Sequence, residues 1–157
     1  MATPLKLPYA VVSRSDVGRL LRELDSLEAA LKRKTAKKDE PMLPVSRLLD
    51  EIAEENKCNL LQAEDRGSLK AFLKTVYEGA PLLHFSFSVD PSPRFLSSLV
   101  AWLRQEIDPL VLLQLGLEPS LGAGCVLRTT NRNFDFSLRQ HFAKQQKLLI
   151  GKIKEGL

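Results

Sequence analysis

The chain has 157 residues, of which 44% are hydrophobic and 27% are charged, a composition typical of folded globular proteins. Its formal net charge is +4, from 23 lysines and arginines against 19 acidic residues. No run approaches the roughly 18 uncharged apolar residues of a membrane-spanning helix. The first apolar run is short and broken by Pro4 and Pro8, so we expect no secretory signal peptide.

The residues that most often bind metals are scarce. Cys58 and Cys125 are the two cysteines, and His84 and His141 are the two histidines. This count excludes a cysteine-rich zinc site, and we expect neither a metal nor a cofactor. Two single cysteines fit a reducing compartment, where each is a small buried apolar residue.

The positive charge lies at the two ends of the chain. Residues 1–40 carry a net +3 and residues 137–157 a net +4, whereas residues 41–80 carry −2 and residues 81–136 carry −1. A basic terminal segment attracts nucleic acid, an anionic membrane surface or an acidic partner. The usual interpretation is a solvated helix face, and charge alone does not choose among these.

Residues 1–80 have the pattern of helices. Ser15 is predicted to cap a helix whose apolar residues recur every three or four positions, namely Val17, Leu20, Leu24, Leu27 and Leu31. This narrow seam is typical of a helix that lies along another helix. A basic, proline-containing segment near 32–44 is predicted to be an exposed linker. Further helices are predicted over 45–55 and over 65–77, the latter capped by Asp65.

Residues 81–157 have a different pattern. Alternating residues over 82–88 predict a strand, and Ser92-Pro93 begins a helix that runs to Ile107. A nearly continuous apolar run over 110–117 predicts a strand buried on both faces, with 123–129 as its antiparallel partner. A short extended piece over 134–136 and a last helix from Ser137 complete the order strand, helix, strand, strand, helix. The fold class is therefore α+β, with a helical region over 1–80 and a small mixed domain over 81–157.

Several residue patterns resemble catalytic or binding sites only superficially. Gly122 and Gly124 lie in a turn between strands, where positive φ or a close backbone approach is the structural explanation for glycine. A phosphate-binding loop needs its glycines before a helix, which is not predicted here. No strained Gly-x-Ser-x-Gly turn marks a nucleophile, so we expect no enzyme. Trp102 lies in an apolar stripe, which predicts a core position.

The run from Asp135 to Arg139 is the most informative short segment. Asp135 and Ser137 bracket a predicted helix start, where both can accept hydrogen bonds from free backbone N–H groups. Arg139 then lies in the first turn, where the helix dipole disfavours a cation. An interaction elsewhere is expected to compensate for that cost.

These segments carry a resemblance to a known family. Three features from residue 82 onward resemble the C-terminal domain of the ATP synthase delta subunit, whose mitochondrial counterpart is the oligomycin-sensitivity-conferring protein. They are the order of strands and helix, the run Pro-Ser-Leu-Gly-Ala-Gly-Cys-Val-Leu-Arg over 119–128, and Asp135-x-Ser137-Leu138-Arg139. The family turn reads Asp-Pro-Ser-Leu-x-Gly-Gly, followed by a strand ending in Arg and by Asp-Gly-Ser. Here Glu118 stands for the first Asp, and Phe136 replaces the Gly. The resemblance covers residues 82–157, and the helical half is shorter than the six-helix bundle of the family.

The resemblance implies a non-catalytic part of the peripheral stalk, or stator, of a proton-translocating F-type ATP synthase. Such proteins tie the catalytic head to the stalk, binding the N-terminal segment of an alpha subunit and the end of the b subunit. The implied location is peripheral, on the cytoplasmic face of a bacterial plasma membrane. The predicted partner-binding residues lie on the last helix and are Lys144, Lys147, Leu149, Lys152 and Ile153.

The alternative is a basic accessory protein that associates with nucleic acid or with another complex. It rests on a sequence pI of 9.2 and on the basic ends. Against it, the aromatic residues lie in apolar stripes without interleaved lysine or arginine, and no known nucleic-acid-binding motif is present. We therefore expect no direct binding of nucleic acid.

Overall fold

The structure, a computed structural model, describes residues 5–36, 45–138 and 150. The fold is α+β, as predicted, and combines helices with a mixed four-stranded sheet. The chain divides into two compact units. Unit 1 comprises Met1–Pro81 and Leu96–Leu112, and unit 2 comprises Leu82–Phe95 and Leu113–Leu157. The sequence predicts a single boundary between residues 80 and 81, whereas the chain passes to unit 2 after Pro81 and returns to unit 1 over Leu96–Leu112.

Unit 1 is helical. It contains α1 (Arg14–Ala36), α2 (Arg47–Glu55), α3 (Ala63–Gly79) and most of α4 (Pro93–Glu106), which starts in unit 2. The seam of α1 is buried as its spacing predicts, at Val17, Leu20, Leu24 and Leu27. It packs with the buried residues of α3, which are Leu69, Leu73 and Val76. Burial of these apolar faces is the main stabilising contribution to the unit.

The ends of α1 differ from the prediction. The helix is capped by Ser13 rather than Ser15: Ser13 Oγ accepts a hydrogen bond from the Asp16 N–H at 3.2 Å, and Asp16 Oδ2 accepts one from the Ser13 N–H at 2.9 Å. This reciprocal pair satisfies two N–H groups at the helix start. The helix also continues to Ala36, so the first residues of the predicted linker near 32–44 are helical. Residues 37–44 of that linker lie outside the described residues.

The other helices of unit 1 start close to their predicted positions. Ser46 caps α2 and accepts a hydrogen bond from the Leu49 N–H, while its own hydroxyl donates to the Glu23 carboxylate of α1. Asp65 does not cap α3, because that helix already begins at Ala63. Its carboxylate instead accepts the Asn59 N–H at 2.7 Å and so holds the preceding turn.

The helix α4 buries only part of its predicted apolar stripe, together with one arginine. Its buried residues are Val100, Leu103 and Arg104, whereas Trp102 is 56% exposed. The expectation that Trp102 is a core residue is therefore wrong. The apolar stripe of α4 is broader than the surface that covers it, so the tertiary structure decides which part of the stripe is buried.

Arg104 is the polar centre of unit 1. The residue is 7% exposed, and its guanidinium donates to the backbone carbonyls of Leu7, Pro8, Val11 and Val111, at 2.6 to 3.2 Å. Burial lowers the pKa of Arg104 to about 10, against the smaller opposing effects of Tyr9 and Glu55. The side chain therefore stays charged at neutral pH and fastens the segment before α1 to α4.

Unit 2 carries the sheet. Its strands are β1 (Leu82–Phe87), β2 (Leu112–Leu117), β3 (Cys125–Arg128) and β4 (Asn133–Asp135), in the order β2-β1-β3-β4. Strand β3 is antiparallel to both β1 and β4, with Phe85 opposite Leu127 and Leu127 opposite Phe134. Strand β2 is parallel to β1, because Leu112 N–H donates to Pro81 O and, further along both strands, Glu118 N–H donates to Phe87 O.

The position of β2 corrects two predictions. Strand β2 lies at the edge of the sheet rather than between strands, and it does not pair with β3. Only its first residues, Leu112 and Leu113, are buried, so the strand is not covered on both faces. The physical reason is the crossover through α4, which makes β2 a parallel neighbour of β1 and leaves the other side of β1 to β3. The predicted last helix lies outside the described residues beyond Leu138, apart from Ile150.

Candidate functional site

The two segments that carry the family resemblance lie side by side in unit 2. Strand β2 is followed by a 3₁₀ turn (Pro119–Leu121), and the chain then passes through two glycines into β3. The second segment runs back along the first: Phe136 N–H donates to Cys125 O at 2.9 Å, and Leu138 N–H donates to Ala123 O at 3.0 Å. Residues that are more than ten positions apart in sequence thus form one hydrogen-bonded element, which we call the paired motif (residues 118–125 and 134–138).

Gly122 forms the tightest bend of the paired motif. Its φ of 72° and ψ of −59° place it at the centre of a γ-turn, closed by a 2.9 Å hydrogen bond from Ala123 N–H to Leu121 O. A side chain at this φ is strained even though the space around the residue is open. Glycine is needed here for its backbone conformation.

Gly124 has a second requirement besides its φ of 92°. A Cβ atom built on this residue would collide with the Phe136 carbonyl oxygen and would lie 3.0 Å from Ser137 Cα. These neighbours are backbone atoms, which cannot rotate away as a flexible side chain can. Gly124 therefore permits the second segment of the motif to lie against the first.

Asp135 and Ser137 organise the second segment. Asp135 Oδ1 accepts a hydrogen bond from the Ser137 N–H at 2.9 Å, a local turn that fixes the direction of the chain before Leu138. Ser137 is 3% exposed, and its Oγ has no hydrogen-bond partner among the described residues. Asp135 and Ser137 are the two residues that the sequence predicts to bracket the start of the last helix. Arg139 lies outside the described residues.

The predicted partner-binding residues are also outside the described part of the chain. This applies to Lys144, Lys147, Leu149, Lys152 and Ile153, so their role remains a prediction from the sequence. The structure does describe exposed apolar side chains within the paired motif. Phe134 and Phe136 are exposed and stack in parallel, with ring centroids 6.3 Å apart, and Leu138 is exposed next to them. Exposed, pre-ordered aromatic rings of this kind are typical of protein-binding surfaces.

Unit 1 contains a separate groove between α1, α2 and the turn after α2. It encloses about 430 Å³ and is mainly apolar, with Leu27, Val45, Ala53 and Leu61 among its lining residues. Asp50 and Glu54 also line the groove and are its two acidic residues. An apolar lining with two carboxylates suits an apolar ligand that carries basic groups.

The described residues do not form a metal centre. Within residues 5–36 and 45–138, no three His, Cys, Asp or Glu side chains are placed to hold a metal ion. Burial raises the pKa of both thiols, and the charge of Asp65 raises that of Cys58 further, so both are neutral at physiological pH.

Comparison with models of protein families found no match to this chain, and comparison with curated proteins found none either. Among the helices that the structure describes, none combines the length and the apolar character that crossing a bilayer requires.

Proposed function

We propose that the chain is a stator component of an F-type ATP synthase, which links the catalytic head to the b subunit of the peripheral stalk. The paired motif carries this proposal. The motif by which the sequence resembles the delta subunit family is built as one element in unit 2, with Gly122 and Gly124 at positive φ and Gly124 against the backbone of Phe136.

A stator must transmit force without a chemical step, and the paired motif suits that role. The hydrogen bonds from Phe136 and Leu138 attach the second segment to the start of β3, and Glu118 N–H attaches the first segment to the end of β1 at 2.7 Å. A pull on the chain after Leu138 is therefore borne by several main-chain hydrogen bonds of the sheet. We place the b-subunit contact beside this point, on Phe134, Phe136 and the basic residues that follow.

The groove of unit 1 is the proposed contact for the N-terminal segment of an alpha subunit. Its apolar lining, which includes Leu27 and Leu61, suits the apolar face of a short helix. The carboxylates of Asp50 and Glu54, which also line it, suit basic residues beside that face. This contact needs only α1, α2 and the turn after α2, all of which belong to unit 1.

The stalk contact is tested by binding kinetics between the full chain and the soluble part of a stalk b subunit. Replacing Phe136 by Ala should speed dissociation by about tenfold, because an exposed aromatic anchor is lost. Reversing the charge at Lys144 and Lys147 should slow association, most clearly at low salt. Lys74→Glu is the matched control, since Lys74 is exposed on α3 in unit 1, and it should change neither rate.

Absence of binding by the wild-type chain at high micromolar concentration would contradict the stator proposal. If the same preparation instead shifted nucleic acid in a salt-sensitive gel assay, the alternative of a basic accessory protein would be favoured. Co-purification of the chain with ATP synthase subunits from native membranes would support the proposal independently.

A further inference from the structure

The groove of unit 1 has one wall that is formed by the turn between α2 and α3. The Asn59 N–H donates to the Asp65 carboxylate at 2.7 Å, and Asn59 Oδ1 accepts the Leu61 N–H at 3.0 Å. Arg66 Nη1 donates to Leu60 O at 2.8 Å. These bonds fix the turn, while Leu61 stays 58% exposed and lines the groove. The turn is therefore a preformed wall that presents an apolar side chain to a ligand.

The groove favours a ligand whose own main chain is already hydrogen-bonded. Its described walls are α1, α2 and the hydrogen-bonded turn, and none of these is a strand edge. An extended segment would find few main-chain partners there, whereas a helix satisfies its main chain internally. The groove lies beside α2, whose nine residues span about 13 Å. This length corresponds to about two and a half turns of a ligand helix.

The charge of the groove comes from Asp50 and Glu54, which are both exposed. Neither carboxylate forms an ion pair with another described residue. Among the described residues that line the groove, none is basic. The two residues are four positions apart on α2, so their carboxylates lie on one side of the helix, about one turn from each other. A ligand helix that lies along α2 would match them with two basic side chains one helical turn apart.

We propose that the groove selects an amphipathic helix that carries two basic residues one helical turn apart. The apolar face of that helix lies on Leu27, Ala53 and Leu61, and its basic residues pair with Asp50 and Glu54. The apolar contacts supply most of the affinity, whereas the two carboxylates select against neutral and acidic helices. This inference rests on the proposed function, because it names the features by which unit 1 would recognise the N-terminal segment of an alpha subunit.

The test uses the full chain and two designed helical peptides. Both peptides have leucines on one face, and beside that face one carries two lysines a turn apart, where the other carries two glutamates. Fluorescence anisotropy at low salt should show that the lysine peptide binds about tenfold or more tightly than the glutamate peptide. Because the net charge of the chain is +4, its overall field favours the glutamate peptide, so a lysine preference requires a local acidic site. High salt should reduce the preference.

Variants of the chain separate charge recognition from apolar contact. Asp50→Asn with Glu54→Gln should bring the two dissociation constants within about twofold of each other, and Asp50→Lys with Glu54→Lys should reverse the preference. Leu61→Ser should weaken binding of both peptides and leave their ratio unchanged. The matched control, Glu78→Gln with Asp90→Asn, removes the same charge from exposed residues that do not line the groove, and it should leave the wild-type preference intact.

Equal binding of the two peptides by the wild-type chain would overturn the inference, and so would a lysine preference that survives Asp50→Lys with Glu54→Lys. A dimer of the chain that the lysine peptide dissociates would also overturn it, since the basic end of a second copy would then occupy the groove. If the lysine preference holds but neither a stalk b subunit nor an alpha-subunit segment binds, the stator function is wrong and the selectivity of the groove stands. If an alpha-subunit segment binds with no dependence on Asp50 and Glu54, the stator function stands and this inference is wrong.

Discussion

Arg104 brings a positive charge into unit 1, where four hydrogen bonds of its guanidinium go to neutral main-chain carbonyls. Charged hydrogen bonds to carbonyls are strong, and they satisfy acceptors of the non-helical segment before α1. Sequence patterning does not reveal this role, because an arginine within a helix is usually solvated. Its position next to Leu103 and four residues after Val100 is the only signal that it shares their buried face.

We expect Arg104→Met to reduce the free energy of unfolding by about 2–4 kcal/mol, since the carbonyls of Leu7 and Val11 would lose their charged donor in a buried site. Pro8 O would keep one partner, the Val11 N–H at 3.0 Å. Denaturant unfolding measures the change. Gln105→Met, an exposed change one position along α4, is the control and should stay within about 0.5 kcal/mol. An equally small effect at Arg104 would contradict its anchoring role.

The two positive-φ glycines allow a second prediction, because their surroundings differ. Gly122→Ala should cost about 1–3 kcal/mol for backbone strain alone, since nothing lies within 4 Å of its Cβ position. Gly124→Ala should cost about 2 kcal/mol more, because the backbone of Phe136 and Ser137 must also move. Thermal or denaturant unfolding compares the two.

Gly67 provides the control for both glycines. It lies in α3 with open space around it and without positive φ, so Gly67→Ala should be neutral or stabilise the chain by up to about 1 kcal/mol. Equal costs at Gly122 and Gly124 would show that the close approach of the second segment is not maintained in solution.

At the scale of elements, helix ends show most clearly how local sequence and structure agree or conflict. The start of α2 at Ser46 follows a standard cap, whereas its end places Lys57 at a φ of 54°, the left-handed conformation that favours glycine. Two hydrogen bonds hold this end, from Lys57 N–H to Glu54 O and from Cys58 N–H to Ala53 O. They are the bonds of a Schellman motif, in which Lys57 occupies the glycine position.

Lys57→Gly should therefore increase the free energy of unfolding by about 1 kcal/mol, because it relieves the left-handed strain while the helix end keeps its hydrogen bonds. Lys57→Ala is the matched control and should give no such gain, since alanine retains the Cβ atom. Chemical denaturation of the three proteins measures the difference. A loss of stability on Lys57→Gly would mean that the lysine side chain makes a contribution larger than the strain.

At the scale of the whole molecule, the division into units does not follow the order of the chain. Leu96–Leu112 completes unit 1 after the chain has already formed β1 in unit 2. A fragment of residues 1–81 consequently lacks Val100, Leu103 and Arg104. We expect this fragment to show no cooperative unfolding transition by circular dichroism, whereas the full chain unfolds cooperatively. A stable, cooperatively folded 1–81 fragment would contradict the assignment of α4 to unit 1.

The sequence by itself determined the elements whose signal is local. The three-and-four spacing of α1, the alternation over 82–88 and the Pro93 helix start each depend on neighbours a few residues away, and each predicts its element closely. The need for glycine at positions 122 and 124, for positive φ or a close backbone approach, is also predictable from the local sequence. The same sequence predicted a linker from residue 32 too early, because charged residues such as Arg33 extend a helix that is already formed.

Only the tertiary structure decided what depends on distant residues. The apolar run over 110–117 does not indicate whether other elements cover both faces of the strand. In the structure the parallel crossover through α4 places β2 at the edge of the sheet. The apolar stripe of α4 does not indicate which of its residues other elements cover. In the structure Trp102 is exposed, whereas Arg104 is buried because the carbonyls of residues 7, 8 and 11 lie beside α4. The physical reason is the same in each case. Burial and strand pairing are properties of two surfaces, and sequence periodicity describes only one of them.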